Sequence, residues 1–209
     1  HLNPHRNSVV YCGHRGKTLE EVMDLMYLTN LGMFGSPLGV TASYIFHFVL
    51  FGALLVASGA GRFFTDAANA MTGRYIGGAA KTAVVSSAFM ASVSGTAAGN
   101  VATTGSFTIP AMKKAGYKPE FAAAVEAVAS SGGLMTPPVL GATAFVMAEM
   151  TGIQYYEIAI AAILPALLYY VGTFFTVDLE ARKLGLPPMK EADIPKLWEV
   201  FRRQGYLLI

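Results

Sequence analysis

The sequence predicts an all-α, polytopic membrane protein that contains a re-entrant helical hairpin and a broken transmembrane helix. The composition is the first reason: 54% of the 209 residues are hydrophobic and only 13% are charged, against about 25% charged in an ordinary soluble domain. The second is the stretch from Thr82 to Met112, which has no charged residue and is interrupted at its centre. The third is a similar interruption in the apolar stretch after Pro119. This composition disfavours the alternative, a soluble helical bundle.

Charge and cysteine usage argue against several classes of function. The net charge of +2 is small and dispersed, so the sequence does not predict a nucleic-acid partner. Cys12 is the only cysteine, which excludes a disulfide framework within the chain. Residues 1–16 are polar, and their histidines and Cys12 lack a standard zinc spacing, so we expect an irregular tail. Because the chain begins with His1 and has no signal peptide, we also expect it to be part of a longer protein.

Residues 17–74 are predicted to form the scaffold side of the fold. Thr18 and Glu21 have the spacing of a capping box, which predicts a helix that runs to about residue 30. The apolar face of this helix predicts that it lies along the membrane surface. Val40 to about Ser58 is apolar on all sides and long enough to span the membrane. The stretch 62–74 has the amphipathic pattern of an interfacial helix.

The stretch 82–112 predicts the hairpin. As one helix it would be about 46 Å long, which exceeds a hydrocarbon core of roughly 30 Å, while each half, at about 23 Å, is too short to cross it. A hairpin that enters the membrane and turns back fits better. Its tip contains Ser94, Gly95 and Thr96, with Asn100 one turn further on. Polar groups at that depth are tolerated only inside protein or along a watery cavity, so we expect the tip to be a binding site.

A second break is predicted between Pro119 and Glu149. The runs Ser130–Gly133 and Thr136–Pro138 interrupt it, because an interior glycine costs a helix about 1 kcal/mol and an interior proline about 3 kcal/mol. Thr136 is predicted to cap the second half-helix, with Pro137 at its first position. Together with the hairpin, this broken helix is predicted to form the transport side, residues 75–150.

The rest of the chain predicts one more spanning helix and a polar end. Residues 158–177 form an uninterrupted apolar run inside the predicted spanning segment 151–185, and Pro165 is predicted to kink it. Residues 186–209 form a polar C-terminal segment with an amphipathic piece around Trp198.

The basic residues predict the orientation, because Lys and Arg accumulate in cytoplasmic loops. They precede the hairpin, follow it, and follow the last span, whereas residues 151–157 have none. These positions agree only if the hairpin opens and closes on the cytoplasmic face. The residues are Arg62, Arg74, Lys81, Lys113, Lys114, Lys118, Arg182, Lys183, Lys190 and Lys196.

The two breaks predict a binding site, since each ends one half-helix and begins another. Carbonyl ends and small hydroxyls suit a hard cation such as sodium, and amide ends suit an anionic group. Discontinuous helices near the midplane are how secondary transporters build such sites. The alternative is that the small residues serve close helix packing only, and the alanine-rich flanks favour that interpretation. For the two polar clusters together, one at each break, we favour a binding site, because helix packing does not require Gly132-Gly133 followed by Pro137-Pro138.

Other chemistry is weakly supported. Residues 94–99 lack the lysine of a phosphate loop, and no Ser, His and Asp set has the context of a nucleophile elbow, so we expect no enzyme. Glu120 and Glu126 lie six residues apart near the cytoplasmic end of a helix. A gate-lining or interfacial role is favoured for them over a proton relay.

The run SVSGTAAGNVATTGSFTIPAMKKAGYKPEFAAAVEAVASSGGLMTPPVLGATAFVMAEMTG, residues 92–152, resembles the first half of the large membrane subunit of tripartite ATP-independent periplasmic (TRAP) transporters. The runs GSPLGVTASYIF and ILPALLYYVGTFFTVDLEARKLGL resemble fused permeases that work with binding proteins of the TAXI type. The resemblance covers about residues 17–190.

This resemblance implies a multi-pass permease of the bacterial inner membrane that imports small organic anions, such as carboxylates, together with Na⁺ as coupling ion. It implies delivery of the substrate by a periplasmic binding protein and an elevator movement of the transport side against the scaffold. Carried over to this sequence, it implies a sodium site at Ser94, Ala97, Gly133 and Pro138. Less directly, it implies that Thr96, Asn100 and Thr136 face the substrate.

The sequence departs from the TRAP pattern in one respect. Members of that family have a second, inverted repeat with its own hairpin and broken helix, and this chain contains one set. We therefore expect one inverted-repeat half of an elevator-type transporter, whose partners include the remaining half of the permease and the lipid membrane. A non-transporting packing or assembly module, or a truncated inactive fragment, is the alternative.

Overall fold

A computed structural model describes residues 18–29, 32, 34, 35, 38, 39, 41–189, 194, 195 and 197–204. The predicted irregular tail, residues 1–16, lies outside these residues. The chain divides into two compact units, 1–39 and 40–209. In the first unit, helix α1 spans Leu19–Tyr27. The Thr18 hydroxyl accepts from the Glu21 amide at 3.2 Å, and the Glu21 carboxylate accepts from the Thr18 amide at 3.0 Å, which confirms the predicted capping box.

The second unit is built from helices, and its described residues contain no strand. A π-helical turn, Thr41–Ile45, leads directly into α2, so residues 41–58 are helical, and their passage through a membrane stays a prediction. The remaining helices, in chain order, are α2 (Phe46–Ser58), α3 (Ala60–Thr72), α4 (Gly78–Ser94), α5 (Ala97–Lys114), α6 (Pro119–Ser131), α7 (Ala142–Thr151), α8 (Tyr155–Lys183) and α9 (Leu197–Gln204).

Helices α4 and α5 form an antiparallel helical hairpin. Their lengths, 17 and 18 residues, correspond to about 26 Å each. The side chain of Asn100 in α5 donates to the Ser87 carbonyl in α4 at 2.9 Å, and the Ser87 and Thr104 hydroxyls lie 3.3 Å apart. Gly95 ends α4 in the left-handed region, with φ at +59°, where glycine is tolerated without strain. The hairpin and its tip are therefore where the sequence predicts them, and its re-entry into a membrane stays a prediction.

The predicted break after Pro119 is present, but it is longer than expected. Helix α6 ends at Ser131, a 3₁₀ turn covers Gly132–Leu134, and an irregular loop follows up to Gly141, which precedes α7. The prediction that Thr136 caps the second half-helix is wrong. Its hydroxyl donates to the Gly132 carbonyl at 2.6 Å and lies 3.2 Å from the Tyr170 hydroxyl, so these partners hold it away from an N-cap role.

Helix α3 packs along α4. The hydroxyls of Thr65 and Ser86 lie 2.9 Å apart, as do those of Thr72 and Thr82. Its amphipathic pattern is confirmed, because its buried side carries Phe63 among other residues. Helix α9 covers part of this helix, since Val200 packs against Phe63 and Ala67. The predicted amphipathic piece around Trp198 is therefore helical.

Helix α8 is the one helix within the described ranges that is long and apolar enough to cross a membrane, with a mean hydropathy of 2.0 in its most apolar window. It is longer than the predicted apolar run and continues through Pro165. The kink predicted at Pro165 stays a prediction. Many of its large apolar side chains are exposed.

The core lies where α4, α5, α6 and α8 meet. Six of its eleven buried members are alanines: Ala79, Ala80, Ala83, Ala122, Ala129 and Ala181. The others are Val84, Met112, Tyr117, Val125 and Val177. Small side chains allow helix backbones to approach closely. The packing role that we favoured for the alanine-rich flanks agrees with this core.

One end of the second unit, which we call the base, is closed by polar contacts. Lys81 Nζ, near the start of α4, lies 2.5 Å from Asp178 Oδ1, near the end of α8. The Tyr117 hydroxyl, in the connection from α5 to α6, donates to the Gly77 carbonyl at 3.5 Å. Arg74, Lys81, Lys113, Lys114, Lys118, Arg182 and Lys183 are at or next to the helix ends that meet here, as the orientation argument requires. Arg62 does not agree, because it lies further along α3, over the ring of Phe107. Lys190 and Lys196 lie outside the described residues. Which side of a membrane that end faces stays a prediction.

Candidate functional site

The tip of the hairpin presents two helix ends. Helix α4 stops at Ser94, and Thr96 is the extended N-cap residue of α5, without a capping side chain. The last carbonyls of a helix and the first amides of the next have no partner within their own helices. One of them is used locally, since the Gly95 amide donates to the Ala91 carbonyl at 3.3 Å. The exposed Thr96 and the partly exposed Ser94 lie at this point.

The tip of the hairpin contacts the broken segment between α6 and α7. The Val139 amide donates to the Ser92 carbonyl at 3.4 Å. A Cβ added to Gly95 would lie 2.9 Å from the Leu140 carbonyl oxygen and 3.0 Å from that of Val139, which is too close for any other residue type. We call this contact, between residues 92–96 and 133–140, the tip–break junction. The sequence predicted both parts, and the structure brings them together.

Gly133 lies on the hairpin side of the junction. A Cβ added there would be 3.3 Å from Ala91 Cβ and 4.0 Å from Asn100 Nδ2. Gly133 and Asn100 are both buried, Asn100 completely. A larger residue at 133 would therefore press on the hairpin just below the tip.

A tyrosine of α8 fixes the loop of the break. The Tyr155 hydroxyl donates to the Pro138 carbonyl at 2.9 Å and accepts from the Leu140 amide at 3.1 Å. Its ring stacks on Phe145 of α7, with 4.4 Å between the ring centroids. The carbonyl of Pro138, a predicted sodium ligand, thus already has one hydrogen bond. A carbonyl oxygen has a second lone pair for another partner.

The other predicted site residues occupy different positions. Ala97 is the first residue of α5, next to Thr96. The side chain of Asn100 faces the inside of the hairpin, where Nδ2 bonds to the Ser87 carbonyl. Thr136 is held by Gly132 and Tyr170. The roles assigned to all of them stay predictions.

Helix α2 reaches the tip at a residue that sequence reasoning missed. A Cβ added to Gly52 would lie 3.7 Å from Ser94 Cα and 3.8 Å from the Val93 carbonyl oxygen. Tyr155 and Tyr170 were also missed. The only sequence signal for them is that a tyrosine in an apolar helix normally finds a hydrogen-bond partner for its hydroxyl.

The two acidic residues of α6 differ in position. Glu120 is exposed, in agreement with an interfacial role, whereas Glu126 is completely buried. The prediction that Glu126 lines a gate or an interface is wrong. Hydroxyl groups of three helices surround its carboxyl group instead.

Comparisons with known proteins identify relatives of this chain. The family model described as tripartite ATP-independent periplasmic transporter, DctM component, matches residues 8–209. The C4-dicarboxylate TRAP transporter large permease protein DctM of Rhodobacter capsulatus is 27% identical over 174 residues, which cover 78% of this chain and 40% of that protein. The protein of the same name from Pseudomonas aeruginosa is 31% identical over 147 residues, which cover 70% of this chain and 34% of that protein.

A third relative is named for a different substrate. The 2,3-diketo-L-gulonate TRAP transporter large permease protein YiaN of Escherichia coli is 27% identical over 155 residues, which cover 74% of this chain and 36% of that protein. The chain thus spans between 34% and 40% of the length of these three relatives. They are transport proteins and not enzymes, as the sequence predicts. With the family model matching nearly all of its length, the chain belongs to the DctM component family of the TRAP transporters.

Proposed function

We propose that this chain is part of the membrane permease of a sodium-coupled secondary transporter that imports small organic anions across the bacterial inner membrane. The tip–break junction is the observation that carries the proposal. There a helix C-terminus and a helix N-terminus meet at the tip of a hairpin, against a second interrupted helix. Secondary transporters build midplane sites from such discontinuous helices.

The chemistry of the junction suits one cation and one anion. The carbonyl end of α4 and the Ser94 hydroxyl are hard oxygen ligands of the kind that sodium prefers. The uncapped N-terminus of α5 has free amides and the positive end of the helix dipole, which suit an anionic group. We assign sodium to Ser94, Ala97, Gly133 and Pro138, and the substrate to Thr96, Asn100 and Thr136.

The names of the relatives support the class of substrate. C4-dicarboxylates and 2,3-diketo-L-gulonate, which appear in those names, are small carboxylate anions. By analogy we propose a periplasmic binding protein that delivers such an anion, and the remaining half of the permease, as partners. We further propose a multi-pass arrangement in which α8 and the helical stretch 41–58 span the inner membrane and the α4–α5 hairpin re-enters.

The proposed movement is of the elevator type, in which the hairpin and the broken helix slide past the scaffold. The contact between α2 and the tip supports it, because Gly52 presents no side chain to the Ser94 backbone. A smooth contact of this kind allows sliding at a small cost in packing.

Uptake by the full-length permease, reconstituted in liposomes with its binding protein, tests the coupling. We expect accumulation of a labelled dicarboxylate with an inward sodium gradient and little without it. Uptake that is independent of sodium would contradict the coupling. Accumulation driven by a pH gradient alone would identify a proton as the coupling ion instead.

Two substitutions test the assignment of the sodium site. Ser94→Ala removes a hydroxyl ligand, and Gly133→Val presses on Ala91, so each should raise the sodium concentration for half-maximal uptake by about tenfold or more. Ser106→Ala is the control, because this exposed hydroxyl bonds only to the Thr103 carbonyl of its own helix. Unchanged sodium dependence in both test variants would refute the assignment.

Thiol labelling separates the transporter from a packing module. Thr96 is exposed at the tip, so Thr96→Cys should react with a membrane-impermeant thiol reagent, and sodium should slow the reaction. Absence of labelling from either side of the membrane would favour a module whose small residues serve packing alone.

A further inference from the structure

The carboxyl group of Glu126 lies at the centre of a polar cluster inside the α4, α5 and α6 packing. Oε1 lies 3.1 Å from the Ser87 hydroxyl, 2.5 Å from that of Thr104 and 3.1 Å from that of Ser130, while Oε2 lies 2.5 Å from the Thr108 hydroxyl. All five side chains are at most 2% exposed. Glu126 is therefore sealed from water in this conformation.

No cation balances this carboxyl group among the described residues, whose Lys, Arg and His side chains all lie more than 4 Å from it. Lys81, the one charged residue of α4, is six residues from Ser87, or about 9 Å along the helix, and is paired with Asp178. A carboxylate without a counter-ion is costly to bury, and such groups normally become neutral. The other charged residues on the helices that form or surround this cluster are Arg62 and Asp66 of α3, Lys113 and Lys114 of α5, Glu120 of α6, and Glu157, Asp178, Glu180, Arg182 and Lys183 of α8.

The hydroxyl of Thr104 lies between the carboxyl group of Glu126 and the side chain of Asn100. Asn100 is oriented by the bond from Nδ2 to the Ser87 carbonyl, so its Oδ1 points to the Thr104 hydroxyl, 3.3 Å away. That hydroxyl is the donor available to Oδ1 among the described residues. The same hydroxyl lies 2.5 Å from Glu126 Oε1, 2.9 Å from the Asn100 carbonyl oxygen and 3.3 Å from the Ser87 hydroxyl, and it has one hydrogen to donate. If an ionised carboxylate takes that hydrogen, the buried Asn100 Oδ1 is left without a donor.

A neutral carboxyl group supplies a further hydrogen. With the proton on Oε1, the carboxyl donates to the Thr104 hydroxyl, which is free to donate to Asn100 Oδ1. Ser87 and Ser130 donate to Oε1, and Thr108 donates to Oε2. Asn100 Oδ1 and both carboxyl oxygens then have hydrogen-bond partners, and the cluster carries no net charge.

We propose that Glu126 is a proton-binding site, occupied in this conformation, whose proton holds the Asn100 amide in place through Thr104. Asn100 lies next to Gly133 at the break, where a Cβ on Gly133 would be 4.0 Å from its Nδ2. Loss of the proton would make Thr104 donate to the carboxylate and release Asn100 Oδ1. The protonation state of Glu126 thereby controls the packing directly beneath the tip–break junction.

Infrared spectroscopy of the full-length permease in lipid tests this without a transport assay. At neutral pH, the spectrum of the wild type minus that of Glu126→Gln should show one C=O band of a protonated carboxylic acid that shifts in D₂O. The matched control is Glu120→Gln, which removes an exposed carboxylate of the same helix and should change carboxylate bands only. A Glu126→Gln difference that contains carboxylate bands alone would overturn the proposal.

A second variant keeps the test decisive if Glu126→Gln does not fold. Thr108→Val retains the acid but removes the donor to Oε2, the carbonyl oxygen, so the acid band should move to higher wavenumber. An acid band that stays in place would contradict the arrangement of hydrogens. An acid band that appears only when choline replaces sodium would show that a metal cation, and not a proton, neutralises Glu126.

Discussion

Gly77, directly before α4, shows how a single residue holds the base together. Its φ is +68°, and an added Cβ would overlap with Ala181 Cβ and lie 2.6 Å from the Tyr117 hydroxyl. We expect Gly77→Ala to destabilise the fold by about 1–3 kcal/mol from backbone strain alone, with more from the overlap. Thermal unfolding in detergent measures this.

Gly172 is the matched control, because it lies in α8 and an added Cβ meets nothing within 4 Å. Gly172→Ala should be neutral or stabilising by up to about 1 kcal/mol, since alanine favours a helix over glycine. Equal effects of the two substitutions would contradict the role given to Gly77.

Tyr117 makes the stability of the protein depend on pH in the alkaline range. Burial raises its pKa from 10.0 to about 12, and the charges of Asp178 and Glu180 add to the shift. The unfolded chain therefore releases this proton at a lower pH than the folded protein does. Stability should be unaffected by this residue below pH 10.0 and should fall as the pH rises toward about 12. Tyr117→Phe should remove that part of the decline, as unfolding at several pH values measures.

Among the elements, the loop of the break depends on one hydroxyl. Tyr155→Phe removes the bonds to the Pro138 carbonyl and the Leu140 amide, which should raise the free energy of the folded loop by about 1–3 kcal/mol. Hydrogen exchange at the Leu140 amide should become faster. Tyr156→Phe is the control, because the Tyr156 hydroxyl contacts only its neighbour Glu157. Unchanged exchange in Tyr155→Phe would contradict the clamping role.

Helices α4 and α8 are joined by the Lys81–Asp178 pair, whose two partners are not equivalent. Asp178 has a second cation, Arg182, at 2.7 Å, whereas the ammonium group of Lys81 otherwise faces the rings of Tyr75 and Phe174. Asp178→Asn should be the more destabilising of the two single substitutions, because it leaves the buried ammonium group of Lys81 unpaired. Lys81→Met should cost less, and the double variant should recover much of the loss. Additive single effects in unfolding experiments would contradict this coupling.

The elements differ in how well the sequence predicts them. The capping box at Thr18 and the glycines and prolines of the breaks act locally, so spacing alone places them. The local sequence predicted Thr136 as an N-cap residue, but its hydroxyl contacts the Gly132 carbonyl and the hydroxyl of a tyrosine 34 residues away instead. Glu126 was visible as an acid in an apolar helix, but the hydroxyls of α4 and α5 that enclose it become its neighbours only in the folded chain. A single sequence does not predict which residues of distant helices come into contact.

For the whole molecule, cross-linking tests where the moving part ends. Cysteines at Gly52 and Val93 would join α2 to the hairpin, since a Cβ at 52 lies 3.8 Å from the Val93 carbonyl oxygen. We expect a short bifunctional thiol reagent to block uptake by the full-length permease carrying this pair. Each single cysteine variant treated in the same way is the control. Full uptake after complete cross-linking would contradict a sliding contact at this point.

A second pair tests the boundary that the sequence predicts between residues 74 and 75. The hydroxyls of Thr65 and Ser86 lie 2.9 Å apart, so cysteines there would join α3 to α4. Because hydroxyl contacts link these helices at two levels, we expect this cross-link to preserve uptake and to place α3 with the hairpin. Loss of uptake would instead support the boundary at 74/75.

Helix α8 is attached to the hairpin and the break at three levels: through Tyr155 to the loop, through Tyr170 to Thr136, and through Asp178 to Lys81. A body that slides as a unit would therefore carry its long apolar helix through the lipid. The lipid would have to accommodate that displacement, at fractions of a kcal/mol for each ångström of mismatch. Bilayer thickness would then set part of the barrier to transport, and lipid chain length would act on the rate through the exposed side chains Ile160, Ile163, Leu164, Leu167, Leu168, Val171 and Phe175.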